Sequence, residues 1–231
     1  MFAVGERVDG AYPSLLRQLG AAQGCAFEFR LMPRARVEQM FENGQADLLV
    51  PATRSDRRDR FGEFVPLVQS RTVAIGLKAA RPPVGSLVEL LNNTRLRVAV
   101  VRGYDFGPLY RETVEKLRLQ GRLVQEQDPQ GVARALQAGM AELTVMTPSI
   151  LFGVLDGEPR LQRLKGQLRV EALDDMPWSE AGFYLSTQSL SADDRQRLRE
   201  MLEQARASGA VWRALLDYYP VGSIDGAIKP R

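Results

Sequence analysis

One internal echo constrains the fold of this chain more than any other feature. Val37-Glu-Gln-Met-Phe-Glu-Asn-Gly44-Gln-Ala-Asp47-Leu-Leu-Val50 aligns with Val132-Ala-Arg-Ala-Leu-Gln-Ala-Gly139-Met-Ala-Glu142-Leu-Thr-Val145. Five of the fourteen positions are identical, and the acidic position after alanine is kept as Asp47 or Glu142. Each copy reads as an amphipathic helix, a glycine stop, a tight turn and a buried strand. Two generic αβ units could match this well by chance. The other reading is a chain of two lobes built on similar plans.

The flanking segments extend that pattern. Helices are expected over 12–23, 34–43, 87–91, 105–119 and 130–138, with Asp105 as an N-cap and Ser86 with Glu89 as a capping box. Ala26–Leu31 alternates like a strand, and short strands are expected at 47–50, 71–77, 97–101 and near Leu123. Ser191 caps a later helix, and an amphipathic stretch covers 211–219. This order is α/β, each lobe a mainly parallel sheet flanked by helices. Pro82-Pro83 and Pro177 mark two crossings, near 78–85 and 174–180. Residues 1–78 and 181–231 then form lobe 1 and residues 82–176 lobe 2. A cleft between such lobes is the usual home of a small ligand.

Composition removes most alternatives. The 231 residues include no histidine, which excludes Ser-His-Asp and Cys-His nucleophilic sites and histidine metal sites. The single Cys25 excludes an internal disulfide and a cysteine metal cluster, and reads as a small buried apolar side chain before a strand. No metal or cofactor is expected. No apolar run reaches the roughly 18–20 residues of a membrane span. Basic residues number 31 against 28 acidic, interleaved almost everywhere, which argues against a nucleic-acid partner. Met1-Phe2-Ala3-Val4-Gly5 carries no secretory leader.

Several runs, taken in order, carry a resemblance. They are Gly44-Gln-Ala-Asp47, Thr53-Arg-Ser-Asp-Arg-Arg58, Phe64-Val-Pro66, Ser86-Leu-Val-Glu-Leu-Leu, Arg97 to Gly103, Ala135-Leu-Gln-Ala-Gly139 and Leu198 to Tyr219. Together they resemble the family 3 extracellular solute-binding proteins, the receptors of polar amino-acid uptake systems. That resemblance implies the two-lobed type 2 periplasmic-binding-protein fold with two hinge crossings, a monomer, and a periplasmic location.

The resemblance also implies a binding site. The family's arginine after a Thr-x-x turn forks onto a ligand carboxylate, as guanidinium geometry favours. Arg58 stands there, with Arg57 as the one-residue slip. Arg54, Arg57, Arg58 and Arg60, mixed with Asp56 and Asp59, also read as a solvated helix face. Thr53 stands where the family uses backbone and hydroxyl donors. Gly103-Tyr104 stands at its Gly-Thr, where a helix N-terminus meets an anion, although an ordinary strand-to-helix turn reads equally well. Tyr12 reads as an aromatic lid or as a packing staple. Thr147 replaces the aspartate that holds a ligand ammonium, which puts a standard α-amino acid in doubt.

The function expected is non-catalytic. Two lobes close on a small anionic or zwitterionic, carboxylate-bearing ligand for delivery to a membrane transporter or sensor. An enzyme on the same fold, of the cyclohexadienyl-dehydratase kind, would have to use Glu142, Asp47 or Glu180 as its acid or base. The effector domain of a transcription regulator is the third reading.

Overall fold

The computed structural model describes residues 2–4, 7–78, 82–219, 224 and 226–231. It divides into two compact units. One comprises Met1–Ser70, Ser179–Ser223 and Lys229–Arg231, the other Arg71–Trp178 and Ile224–Ile228. The first crossing therefore lies at 70–71, ahead of the expected 78–85, and the strand expected at 71–77 belongs to the second unit. The return lies at 178–179, inside the expected 174–180, and the final segment enters the second unit once more.

The chain starts unit 1 with β1 (Phe2–Val4), β2 (Arg7–Asp9), α1 (Ala11–Gln23), α2 (Arg34–Glu42), β3 (Leu48–Thr53), α3 (Asp56–Asp59) and β4 (Gly62–Ser70). Unit 2 follows with β5 (Val73–Leu77), α4 (Leu87–Asn92), β6 (Val98–Val101), α5 (Pro108–Leu119) and β7 (Leu123–Glu126). It continues through α6 (Pro129–Gln137), β8 (Leu143–Met146), α7 (Pro148–Gly157), α8 (Gln162–Lys165) and β9 (Leu168–Ala172). The chain returns along β10 (Ser179–Ser186), α9 (Ala192–Ala207) and α10 (Ala210–Tyr218), and ends in β11 (Ile228–Pro230).

Strand order is β11-β4-β10-β3 in unit 1 and β7-β6-β8-β5-β9 in unit 2, with β1 and β2 pairing separately. The sheets are mixed rather than mainly parallel. β6 runs parallel to β7 and β8, whereas β5 is antiparallel to β8 and β9, and β10 to β3 and β4. The crossings explain the departure. The strand by which the chain leaves a unit lies beside the strand by which it arrives, so β4/β10 and β5/β9 must oppose.

The unit 2 sheet is apolar on both faces. Ile75, Ala99, Val132 and Leu136 pack in one layer, and Ala74, Val98, Leu117 and Leu143 in the other. Alternate strand residues thus meet helices on opposite sides. In unit 1 Phe41 of α2 packs with Leu49, Ala52 and Tyr184.

Both copies of the echo close in the same way. Gly44 (φ 65°) and Gly139 (φ 67°) take the left-handed conformation just past α2 and α6. Gln45 N–H reaches back to the Met40 carbonyl at 2.8 Å, and Met140 N–H to that of Ala135 at 2.9 Å. This is a Schellman stop, which glycine makes without Cβ strain.

Three local expectations change. Ala26–Leu31 forms no strand. Its rings serve instead as a platform, with the Arg17 guanidinium 4.7 Å above Phe29. Cys25 is exposed rather than buried, because its N–H folds back onto the Gly20 carbonyl at 2.9 Å and turns the side chain outward. Asp105 is no N-cap. Gly107 (φ 101°) followed by Pro108 sets the start of α5, while Asp105 accepts the Gly107 N–H and pairs with Arg111 at 2.9 Å.

Candidate functional site

The carboxyl ends of β3, β6 and β8 carry most of the residues singled out by sequence. Open α/β sheets present their ligand sites at such ends.

In unit 1, β3 ends at Thr53 and the chain turns at once into α3. The Ser55 hydroxyl caps that turn, accepting the Arg58 N–H at 3.4 Å. A short helix thereby folds Arg58 inward, leaving its side chain 4% exposed. Its Nε and Nη2 donate to Glu38 Oε2 and Oε1 at 3.2 and 2.8 Å. Its Nη1 donates to the Thr53 carbonyl at 2.7 Å and the Thr53 hydroxyl at 3.3 Å. Arg34, one helical turn before Glu38, donates Nε to Glu38 Oε1 at 2.7 Å and Nη1 to the Pro51 carbonyl at 2.8 Å. Burial pushes the Glu38 carboxyl up, but the two guanidiniums outweigh it and hold it below the usual carboxylate value.

Tyr184 of β10 fixes the same turn from below. Its phenol accepts the Ser55 N–H at 3.0 Å and donates to Asp59 Oδ1 at 2.7 Å. Burial, reinforced by that carboxylate, raises the phenol above its ordinary value. Asp59 also meets Arg54 at 3.1 Å.

Structure thus joins Arg58 to Thr53 and gives Arg57 and Tyr12 other surroundings. Arg57 is exposed and pairs with Glu42 at 2.6 Å. Tyr12 sets its ring edge-on to Phe183, centroids 5.2 Å apart, and burial pushes its phenol up to about 12.

In unit 2 the parallel pairing of Val98 with Leu143 brings the ends of β6 and β8 to one edge. Gly103 (φ 83°) turns the chain after β6. Tyr104 then stacks edge-on against Phe106 at 5.6 Å, and Phe106 against Tyr110 at 5.0 Å. Because α5 begins at Pro108, Gly103-Tyr104 lies before the helix rather than at its N-terminus. Thr147, 8% exposed, follows β8 and opens α7, its carbonyl accepting the Ile150 N–H at 3.0 Å.

Two acid–base candidates are tied up in ion pairs. Glu142 holds Arg97 at 2.8 Å and the Arg97 N–H at 2.6 Å, and Glu180 holds Arg231 at 2.8 Å. Asp47 is exposed. Among the described residues no cluster of three or more His, Cys, Asp or Glu side chains could hold a metal ion. No helix among them is long and apolar enough to cross a membrane.

Sequence reasoning overlooked Glu38, Arg34 and Tyr184. The i, i+4 spacing of Arg34 and Glu38 was the available signal, since such pairs meet on one helix face.

No family model matches the chain, and no curated protein matches it. Solved structures do. An amino acid ABC transporter substrate-binding protein from Streptococcus pneumoniae, AbpA bound to L-arginine, aligns with TM-score 0.73 at 16% identity, over 96% of this chain and 89% of that one. A putative L-cystine ABC transporter protein from Listeria monocytogenes aligns with TM-score 0.71 at 15% identity, over 99% and 92%. A histidine kinase sensor domain with similarity to periplasmic binding proteins gives TM-score 0.70 at 20% identity, over 92% and 86%. With its paired α/β units and mixed sheets, the chain has the two-lobed fold of the periplasmic binding proteins.

Proposed function

We propose that this protein is a non-catalytic receptor of the family 3 kind for a small solute bearing a carboxylate, working outside the cytoplasm and read by a transporter or a sensor. The observation that carries the reading is positional. Thr53 with Arg58 follows β3, Gly103-Tyr104 follows β6 and Thr147 follows β8, each at the strand end where this architecture binds ligands. Arg58 would meet the carboxylate, and the Tyr104–Phe106 aromatic pair would cover apolar parts of the solute. Thr147 offers a hydroxyl where an ammonium would want a carboxylate, which favours an organic acid or an amino acid whose amine is met elsewhere.

Two structural neighbours named as amino acid ABC transporter substrate-binding proteins, and one named as a histidine kinase sensor domain, support these two kinds of partner. A thermal-shift screen with L-arginine, L-glutamine, L-cystine, succinate and aromatic acids tests the reading. A receptor gains stability as ligand concentration passes its Kd. Arg58→Ala should abolish that gain. Turnover of a stabilising compound, or binding untouched by Arg58→Ala, would overturn the proposal.

A further inference from the structure

The Arg34–Glu38–Arg58 cluster buries three charged side chains beside the turn that follows β3. Two guanidiniums share one carboxylate, with side chains 13%, 4% and 4% exposed. Asp59, on the same turn, is engaged by Tyr184 and Arg54. The second copy of the echo shows that the helix position itself needs no carboxylate. Val37 aligns with Val132, so Glu38 aligns with Ala133, which is 0% exposed in the core of unit 2. Alanine satisfies the packing there; glutamate serves the arginines here.

The geometry of Arg58 is the second observation. Its Nε and Nη2 form the two-pronged face that a carboxylate prefers, and Glu38 holds both prongs. Thr53 holds Nη1 through its carbonyl and its hydroxyl. A solute carboxylate cannot gain two parallel hydrogen bonds from this guanidinium while Glu38 remains in place.

We propose that Glu38 is a resident carboxylate that occupies the fork of Arg58, and so sets how tightly, and for which solutes, the fork opens to an external carboxylate. This rests on the receptor reading above. In ligand exchange the external carboxylate takes the Nε and Nη2 hydrogen bonds, and Glu38 keeps Arg34 through Oε1. A monocarboxylate making few other contacts loses that competition. A solute held by additional groups wins it, so the device selects against simple acids.

The experiment has two arms. In the first, Glu38→Gln is melted with sodium formate and with sodium chloride at equal ionic strength. Arg34→Met/Glu38→Gln, which removes one of the two guanidiniums, takes its place if the single variant melts without cooperativity. Formate, a bare carboxylate, should raise the melting temperature of the variant saturably. It should do nothing specific to the wild type, and nothing once Arg58→Ala is added. Equal effects of formate and chloride, or rescue that persists without Arg58, overturn the inference.

The second arm measures binding of L-arginine, L-glutamine and succinate by calorimetry. A solute bound by the wild type should bind at least tenfold more tightly to the Glu38 variant. Unchanged or weaker binding makes Glu38 a strut and rejects the inference while leaving the receptor reading intact. Binding insensitive to Arg58→Ala rejects the receptor reading, and the formate arm still decides whether the fork is blocked by Glu38.

Discussion

The two copies of the echo share a helix, a left-handed glycine and a strand, and differ in what the helix buries. α6 turns Val132, Ala133, Ala135 and Leu136 into the core, whereas α2 buries Phe41 and Glu38. The acidic residue after the stop differs too. Asp47 is exposed in the first copy, while Glu142 in the second ties Arg97 to the start of β8. One copy has been kept as scaffold, and the other carries a polar cluster beside the turn that follows its strand. Of the charged differences between the copies, the one at a buried position, Glu38 against Ala133, separates them most.

The strongest way to break this comparison is to exchange the two buried positions. Ala133→Glu places a carboxylate in an apolar layer, and Glu38→Ala strips two guanidiniums of the carboxylate they share. Uncompensated buried charge costs about 3–5 kcal/mol, a large share of a typical 5–15 kcal/mol total of about that range. Urea unfolding should show both losses. A near-neutral Glu38→Ala would remove the polar cluster from the argument.

Acid comes next. The Glu38 carboxyl lies below its ordinary 4.5 in the folded chain, so its contribution is complete above 4.5 and fades as pH falls through the folded value. Stability measured from neutral pH down to about pH 3 should therefore fall less steeply in Glu38→Gln than in the wild type. An equally steep fall in both proteins would place the acid sensitivity elsewhere.

Gly44→Ala and Gly139→Ala sharpen the comparison at the stops. A left-handed alanine costs roughly 1–2 kcal/mol at either place. At Gly44 the new Cβ would also meet Gln188 Cβ at 3.1 Å, whereas nothing lies within 4 Å at Gly139. The first variant should be the less stable of the two in denaturant titration. The smallest shift is expected from Glu142→Gln, because Arg97 stands half in water and exposed pairs contribute little.

Much of this fold could be read locally. Ser86 and Ser191 cap their helices through the Glu89 and Asp194 N–H groups, as their spacing announces. The glycine stops are legible for the same reason. β4 and β10 were not, because their pairing joins residues far apart in sequence, such as Val65 with Phe183, and no short window records it. Ala26–Leu31 shows the converse: alternation without a partner edge makes no strand. At the site, Thr53 and Arg58 stood out through their turn. Glu38 did not, since a helical glutamate reads as solvent-facing until the arginine twenty residues on is folded against it. Tyr184 was hidden by the same distance.

The route of the chain has a consequence for synthesis. Ala227, fully enclosed, closes the core that Arg71–Trp178 begins. A ribosome releases the N-terminal parts of a chain first, and domains commonly fold as they emerge. Here the second unit must wait for Ile224–Ile228, made after the chain has returned through the first unit, and the first waits for β10. Neither unit is contiguous in sequence, so each stays incomplete, and exposed to chaperones and proteases, until a segment made after the other unit has begun is translated.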